Sequence, residues 1–155
     1  MIFTINGNKF KLRNCKDNDY WFVYKLLKNN MLALFTKHWG GWDPKVFREA
    51  FKKENIKIVE HKNKRIAYYN LEFKDKFSYI HNVQVSTLMR GKGLGTFLMG
   101  LMEKETKKHR LKKIRLKVFK DNKAIELYLK LEYKKIKDDK SAIILEKVLW
   151  RKPTN

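Results

Sequence analysis

Residues 90–96 read Arg90-Gly91-Lys92-Gly93-Leu94-Gly95-Thr96, and this glycine-rich stretch joins two different hydrophobic patterns. The largely apolar run before it, at 79–85, is typical of a strand. The apolar residues after it recur three and four positions apart, as on one face of a helix: Leu94, Phe97, Leu98, Leu101 and Met102. A strand that passes through a glycine turn into a helix leaves backbone N–H groups unpaired, and the helix dipole attracts anions there. Arg90 and Lys92 add two cations, so the stretch predicts a turn that binds a phosphate.

The glycine spacing distinguishes between known kinds of phosphate-binding turn. A P-loop places Lys after its second glycine and before Ser or Thr, whereas Lys92 lies between two glycines. The dinucleotide fingerprint needs a third glycine where this chain has Thr96 or Leu98. The pattern that fits is R-x-x-G-x-G, which resembles the pyrophosphate-binding loop of the Gcn5-related N-acetyltransferase (GNAT) family. A glycine-rich turn without a ligand is the alternative for these six residues alone.

A second motif lies about thirty residues further on, and it resembles the same family. Residues 114–119 alternate as in a strand, and a short helix over 123–131 follows, with Asp121 or Asn122 as its cap. The family pattern N-x-x-A-x-x-L-Y-x-K-x-G-F is matched, with the Asn shifted by one position, by Asn122, Ala124, Leu127, Tyr128, Lys130 and Tyr133. Glu132 stands where the family usually has Gly, so the helix end is expected to be strained or differently shaped.

The layout upstream of these motifs also resembles the GNAT family. The patterns predict strands and helices in the family's order: strand 9–13, helix 20–36 capped by Asp17, loop 38–42, a second helix opened by Asp43-Pro44, then strands 57–60 and 66–73 and a signature strand from Phe77. The resemblance covers nearly the whole chain and implies an α/β (α+β) GNAT fold. We expect a mixed, mostly antiparallel sheet of about seven strands, flanked by about four helices and splayed at the signature strand.

Composition limits the other possibilities. A chain of 155 residues with 43% hydrophobic content predicts one folded domain, at 1–150, with a short tail at 151–155. No apolar run is long enough to span a membrane, and residues 1–7 do not read as a secretory signal. Cys15 is the only cysteine, so we expect neither disulfides nor a metal-ligand cluster. These observations favour a cytoplasmic protein that needs no metal.

The formal net charge of +21 would by itself suggest a nucleic-acid partner. The basic residues are mostly Lys and are scattered through the chain, whereas Arg is the better bidentate ligand of phosphates and bases. We therefore expect no specific nucleic-acid partner and no membrane partner. The charge would attract a polyanionic cofactor such as coenzyme A. A homodimer is possible by the same resemblance.

The resemblance implies that acetyl-CoA is the co-substrate. Its diphosphate would bind the seven residues of the glycine-rich stretch: Arg90, Gly91, Lys92, Gly93, Leu94, Gly95 and Thr96. The backbone of Val83 and Val85 would hold the pantetheine arm, and one N–H there would polarise the thioester carbonyl. Asn122 is assigned to the cofactor site as well.

The implied reaction is direct attack of a neutral amine on the thioester. Tyr128 matches the family tyrosine that protonates the departing thiolate, and the alternative is a core aromatic with its hydroxyl at the edge. No Asp or Glu occurs from 77 to 90, so His81 is the candidate general base. The alternative is that His81 is a structural histidine whose hydrogen bonds are satisfied within the sheet. Glu72, His38 or a chain of water molecules is the alternative base.

The acceptor would be a primary amine of a small molecule, peptide or protein. Trp39 and Trp42 flank a glycine pair where the family has its acceptor loop, and Tyr79 shares a strand face with His81. The tryptophans could instead form a hydrophobic staple at the start of the second helix. The alternative function is a non-catalytic module on the same fold that senses acyl-CoA or binds a polyanion.

Overall fold

The computed structural model describes residues 1–150, and the expected tail at 151–155 lies outside the described residues. The strands are β1 Ile2–Ile5, β2 Asn8–Asn14, β3 Ile56–His61, β4 Lys64–Phe73, β5 Ser78–Val85, β6 Lys113–Phe119, β7 Lys134–Asp139 and β8 Ala142–Val148. The helices are α1 Tyr20–Trp39, α2 Pro44–Ala50, α3 Leu94–Lys108 and α4 Ala124–Lys130. Short 3-10 turns lie at Asp17–Asp19, Lys53–Asn55 and Thr87–Met89.

The strands form one open mixed sheet in the order β1-β2-β3-β4-β5-β6-β8-β7. The pairing of β5 with β6 is parallel, whereas β1-β2, β2-β3, β3-β4, β6-β8 and β7-β8 are antiparallel. This confirms the α/β GNAT architecture predicted from the motifs. Within residues 1–150 the sheet has eight strands rather than about seven. No strand bounds were predicted beyond residue 119, where β7 and β8 form a hairpin that turns at Lys140 with φ 59°.

The chain divides into two compact units, of which the first contains Met1–Asn70 and Asn82–Gly95. Its core lies where α1 covers β3 and β4, and it is built from Cys15, Val23, Leu26, Leu27, Phe47, Ile56, Ile58 and Tyr68. The β1-β2 hairpin turns at Asn6 and Gly7, both at positive φ. Helix α2 begins as predicted, because the Asp43 carboxylate accepts the backbone N–H of Lys45 at 2.9 Å.

Two expectations for α1 were wrong. Asp17 does not cap this helix, because Asp17–Asp19 form a 3-10 turn and the Asp17 carboxylate pairs with Lys53 at 2.8 Å. The helix also continues past Thr36 to Trp39, so the first two residues of the expected loop belong to its last turn. Gly40, at φ 83°, ends the helix in the left-handed conformation.

Asp19, just before α1, is fully buried and carries the main ionic cluster of the first unit. Arg13 donates two hydrogen bonds to its carboxylate, at 2.7 and 3.0 Å, and Arg65 donates one at 3.1 Å. Burial would raise the pKa of Asp19, but these bonds and the Lys16 N–H lower it to about 2. The cluster ties β2 and β4 to the start of α1.

The second unit contains Leu71–His81 and the chain from Thr96 onward. Its core includes Leu98, Met99 and Met102 of α3, all fully buried, and Ile114 and Leu145 from β6 and β8. The Thr106 hydroxyl of α3 donates to the Met102 carbonyl at 2.8 Å and is hydrogen-bonded to the Ser78 hydroxyl of β5 at 2.8 Å, and both side chains are buried. The register of β5 with β6 covers Ser78–Ile80, whereas β5 runs on to Val85. The expected splay at the signature strand stays a prediction.

The C-terminal end of α4 shows the strain that the sequence predicts. Glu132 adopts φ 72°, the left-handed conformation that a glycine would take without a steric cost. The N–H of Tyr133 donates to the carbonyl of Tyr128 at 3.0 Å, and the N–H of Glu132 donates to that of Leu129 at 3.1 Å. These two bonds form a Schellman motif, so the chain keeps the usual helix ending with an unfavourable residue in it.

Candidate active site

The glycine-rich stretch forms a turn with two glycines in the left-handed conformation, Gly91 at φ 73° and Gly93 at φ 83°. A Cβ at Gly93 would lie 3.5 Å from Cγ2 of Ile5, in ordinary van der Waals contact, and a Cβ at Gly91 would meet open space. Both glycines are therefore required by the backbone conformation rather than by crowding. Helix α3 begins directly afterwards at Leu94, which is 1% exposed and anchors the turn to the core.

The two cations of this turn are exposed, and the turn leads directly into the first turn of α3. The side chains of Arg90 and Lys92 are exposed, and Arg90 Nε donates a long hydrogen bond of 3.4 Å to the carbonyl of Val85. Gly95 and Thr96 lie in the first turn of α3, where the backbone N–H groups have no partner within the helix. Exposed cations beside free N–H groups at a helix N-terminus suit a phosphate or diphosphate.

Val83 and Val85 lie in the last part of β5, which belongs to the first unit. Both side chains are half-buried. The Val85 carbonyl accepts a hydrogen bond from Asn30 Nδ2 at 3.1 Å, and the next residue, Ser86, donates its N–H to the Ile66 carbonyl at 2.8 Å. The end of β5 is therefore held within the first unit by Asn30 of α1 and by Ile66 of β4. Asn30 was missed by the sequence argument.

Tyr128 lies on α4 and is 8% exposed. Burial raises its pKa to about 12, so the phenol keeps its proton at neutral pH and can act as a donor. Tyr133, five residues on, has its hydroxyl committed to Glu103 at 3.2 Å. Asn122 Oδ1 accepts the N–H of Ala124 at 2.9 Å, which makes it the side chain that caps this helix start.

His81 is paired with Glu72, the residue named as its alternative. Its Nε2 lies 2.8 Å from Glu72 Oε1, and Lys74 Nζ lies 3.8 Å from Glu72 Oε2. The hydrogen bond with His81 lowers the pKa of Glu72. The ring of Tyr79 meets His81 edge-on at 4.8 Å, and burial raises the pKa of Tyr79. The second unit thus brings together a carboxylate, an imidazole and a phenol.

The two candidate acceptor tryptophans share one aromatic neighbour in the first unit. Trp39 stacks on Phe35 at 4.7 Å and is 63% exposed, whereas Trp42 lies 5.9 Å from the Phe35 ring and is half-buried. Trp42 Nε1 also donates to the Tyr24 hydroxyl at 2.9 Å. Trp42 is therefore partly a packing residue, and Trp39 is the more exposed of the two rings.

The site residues predicted from the sequence thus fall into two groups, one in each compact unit. The first unit holds residues 90–95, the end of β5 and both tryptophans, and the second holds Thr96, Tyr79, His81, Asn122 and Tyr128. Within residues 1–150, no group of three His, Cys, Asp or Glu side chains is placed to hold a metal ion. None of the helices described for these residues is both long and apolar enough to cross a bilayer.

Comparison with known proteins places this geometry in a family. Residues 21–133 match the model of the acetyltransferase (GNAT) family. Among solved structures, the PaiA N-acetyltransferase from Thermoplasma acidophilum in complex with coenzyme A aligns with a TM-score of 0.75 and 17% identity, over 90% of this chain and 98% of that one. The ribosomal-protein-S18-alanine N-acetyltransferase from Escherichia coli aligns with a TM-score of 0.71 and 18% identity, over 94% and 97%.

Arabidopsis thaliana Naa50, solved with the bisubstrate analogue CoA-Ac-MVNAL, aligns with a TM-score of 0.68 and 16% identity, over 89% of this chain and 97% of that one. At these identities the structures show a shared fold, and the family match covers well over half of the chain. The chain therefore belongs to the GNAT acetyltransferase family.

Proposed function

We propose that this protein is an acyl-CoA-dependent N-acetyltransferase that passes the acetyl group of acetyl-CoA directly to a primary amine. The observation that carries the proposal is the turn at 90–96, with two left-handed glycines, two exposed cations and a helix N-terminus. Relatives of the same fold have been solved with coenzyme A or a CoA analogue. The acceptor is a small molecule, a peptide or a protein.

The residues present fit acetyl-CoA. The N–H groups and cations from Arg90 to Thr96 would bind its diphosphate, and the peptide groups of Val83 and Val85 would bind its pantetheine arm. Asn122 would donate a hydrogen bond to the cofactor from its side-chain NH2 group, because its Oδ1 already accepts the N–H of Ala124. When bound, acetyl-CoA supplies the activated acetyl group. A fixed backbone N–H on β5 would polarise the carbonyl, and loss of such a donor costs about 3 to 4 kcal/mol in other enzymes.

Two side chains would handle protons. Tyr128, protonated at neutral pH because burial raises its pKa to about 12, would donate to the sulfur as the thiol leaves. His81 would take a proton from the amine, because an ordinary alkylamine has a pKa near 10.4 and is mostly protonated at pH 7. In the neutral tautomer that suits the 2.8 Å contact, Nε2–H donates to Glu72 and Nδ1 keeps the lone pair. Trp39, Trp42 and Tyr79 would bind the acceptor.

The first experiment measures free thiol released from acetyl-CoA with pooled amines, peptides and polyamines. Thiol release that depends on an acceptor, with a product heavier by one acetyl group, supports the proposal. If acetyl-CoA binds but no pool releases thiol above background hydrolysis, the enzymatic proposal is wrong.

The second experiment tests the phosphate turn by calorimetry. Gly93→Glu places a carboxylate in the turn and should weaken acetyl-CoA binding at least about tenfold, which is about 1.4 kcal/mol. Gly40 has the same φ of 83° at the end of α1, so Gly40→Glu imposes the same strain and charge elsewhere. Its dissociation constant for acetyl-CoA should stay within about twofold of the wild type. Equal weakening by both variants would contradict the assignment.

The third experiment compares two tyrosines of the second unit. Tyr128→Phe should lower kcat roughly a hundredfold and leave the acetyl-CoA dissociation constant unchanged, as expected for loss of a general acid. Tyr133→Phe removes a hydroxyl that is bound to Glu103 and should keep kcat. Full turnover in Tyr128→Phe would exclude it as the acid.

A non-catalytic module that senses acyl-CoA or binds a polyanion is the second candidate. It is favoured by the net charge of +21 and by the lack of Asp or Glu from 77 to 90. It predicts binding to single-stranded RNA that weakens steeply with salt, together with no acetylated product. The cytoplasmic location and the homodimer stay predictions.

A further inference from the structure

Asn30 interrupts the apolar face of α1 at the point where this helix meets the end of β5. Val23, Leu26 and Leu27 are buried, and Asn30 continues the same helical face one turn later. Its Nδ2 lies 3.1 Å from Gln84 Oε1 and 3.1 Å from the Val85 carbonyl. Both amide hydrogens are therefore used on the last two residues of β5.

The orientation of this amide is fixed by its partners. The Val85 carbonyl can only accept a hydrogen bond, so the nitrogen of Asn30 must face it. Asn30 Oδ1 is consequently turned away, and it is buried without a partner among residues 1–150. An unpaired buried oxygen is unfavourable, and a leucine would follow the pattern of the helix without that cost. Unlike a leucine, Asn30 donates hydrogen bonds to Gln84 and Val85 of β5.

The same contacts reach further along the strand. Gln84 Nε2 donates to Asn82 Oδ1 at 3.1 Å, so one chain of amides runs from α1 through Gln84 to Asn82. The Val85 carbonyl also accepts the longer bond of 3.4 Å from Arg90 Nε, so Asn30 at 3.1 Å is the closer of its two described side-chain donors. Asn30 thus fixes the end of β5 through hydrogen bonds to both Gln84 and Val85.

We propose that Asn30 is a positioning residue that holds the 82–85 segment of β5 in the conformation that binds the pantetheine arm. This rests on the proposed function, which assigns the arm to the peptide groups of Val83 and Val85. A segment already fixed before binding loses less conformational freedom when the cofactor binds. The effect on the arm is larger than the effect on the diphosphate, because the diphosphate binds the turn at 90–96. That turn is linked to the Val85 carbonyl through the long 3.4 Å bond from Arg90 Nε.

The experiment measures two dissociation constants by calorimetry, one for acetyl-CoA and one for adenosine 3′-phosphate 5′-diphosphate, the nucleotide half without the arm. Asn30→Leu should weaken acetyl-CoA binding roughly tenfold, or about 1.4 kcal/mol, and change nucleotide binding by less than about twofold. Asn29→Leu is the matched control, because Asn29 is exposed on the same turn of α1 and should change neither constant. Asn30→Asp keeps the size of the side chain and sets a carboxylate against the Val85 carbonyl, so it should behave like Asn30→Leu.

Hydrogen exchange of the ligand-free protein gives a readout independent of binding. The backbone amides of residues 82–86 should exchange faster than in the wild type in both Asn30 variants. In Asn29→Leu they should exchange at the wild-type rate. Equal loss of acetyl-CoA and nucleotide binding in the Asn30 variants would overturn the proposal in favour of a general structural role. Wild-type affinity for acetyl-CoA in both Asn30 variants would also overturn the proposal. If the wild type binds no acetyl-CoA, the proposed function fails and this inference fails with it; if it binds and only the variants disagree, the inference alone fails.

Discussion

Replacing Glu132 with glycine should make the protein more stable. Glu132 holds the left-handed position of the Schellman motif at φ 72°, and its side chain is exposed. A left-handed conformation costs an L-residue roughly 1 to 2 kcal/mol. Glycine removes that cost but adds about 0.5 to 1 kcal/mol of chain entropy to the unfolded state. The net gain in the free energy of unfolding is therefore about 1 kcal/mol, and Tm should rise by about 2 to 4 °C.

Urea unfolding with and without the substitution provides the measurement, with the m-value expected to stay constant. Glu132→Gln is the matched control, because it removes the charge and keeps the strained backbone, and it should change stability by less than about 0.5 kcal/mol. The bonds from Tyr133 to Tyr128 and from Glu132 to Leu129 exist in both variants, so neither should alter the helix end. An unchanged or lower midpoint for Glu132→Gly, or the same gain for Glu132→Gln, would refute the reasoning.

Three further predictions concern buried and exposed groups. Asp19 has a folded pKa of about 2, below its ordinary 3.8, so its stabilisation is complete above that ordinary value and is lost as pH falls toward 2. About 2 kcal/mol should disappear in urea titrations from pH 5 to pH 2. Asp19→Asn, which removes the closer of the two carboxylates described beside Arg13, should abolish that part of the pH dependence. Tyr68 is 1% exposed, and its hydroxyl has no hydrogen-bond partner among residues 1–150, so Tyr68→Phe should raise the free energy of unfolding by about 1 kcal/mol in the same assay; a loss of stability would point to a partner for the hydroxyl. Replacing Arg90 and Lys92 together with Ala should weaken acetyl-CoA binding and flatten its dependence on salt, as calorimetry at two ionic strengths would show, whereas an unchanged salt dependence would exclude both as phosphate ligands.

Local chemistry explains why most of the fold was predictable. The turn at 90–96 needs glycine at positive φ, and Gly91 and Gly93 both adopt it. The start of α2 follows from Asp43 and the proline after it, whose effects depend on neighbours within three residues. The strain at Glu132 was predicted for the same reason, because a missing glycine is visible in the sequence itself.

The wrong helix cap and the contacts that were not predicted depend on residues brought together by the fold. Asp17 and Asp19 are equally plausible caps by local rules, but Arg65, 46 residues away, contributes to drawing Asp19 into the core. Asn30 looks like a surface residue of a helix until Gln84, 54 residues later, is seen beside it. The pairing of His81 with Glu72 likewise depends on two strands meeting side by side. Patterns within a single sequence carry no information on which separate segments come into contact.

The position of Ile5 beside Gly93, 3.5 Å from where a Cβ would stand on that glycine, has a consequence for how cofactor binding is inherited. The first hairpin of the chain lies beside the turn, although it lies outside the residues that match the family model. A descendant could therefore lose its ligand through a change at residue 5 while every motif letter survived. Searches that score the motif alone would count such a protein as active, and the hairpin would have to be compared as well.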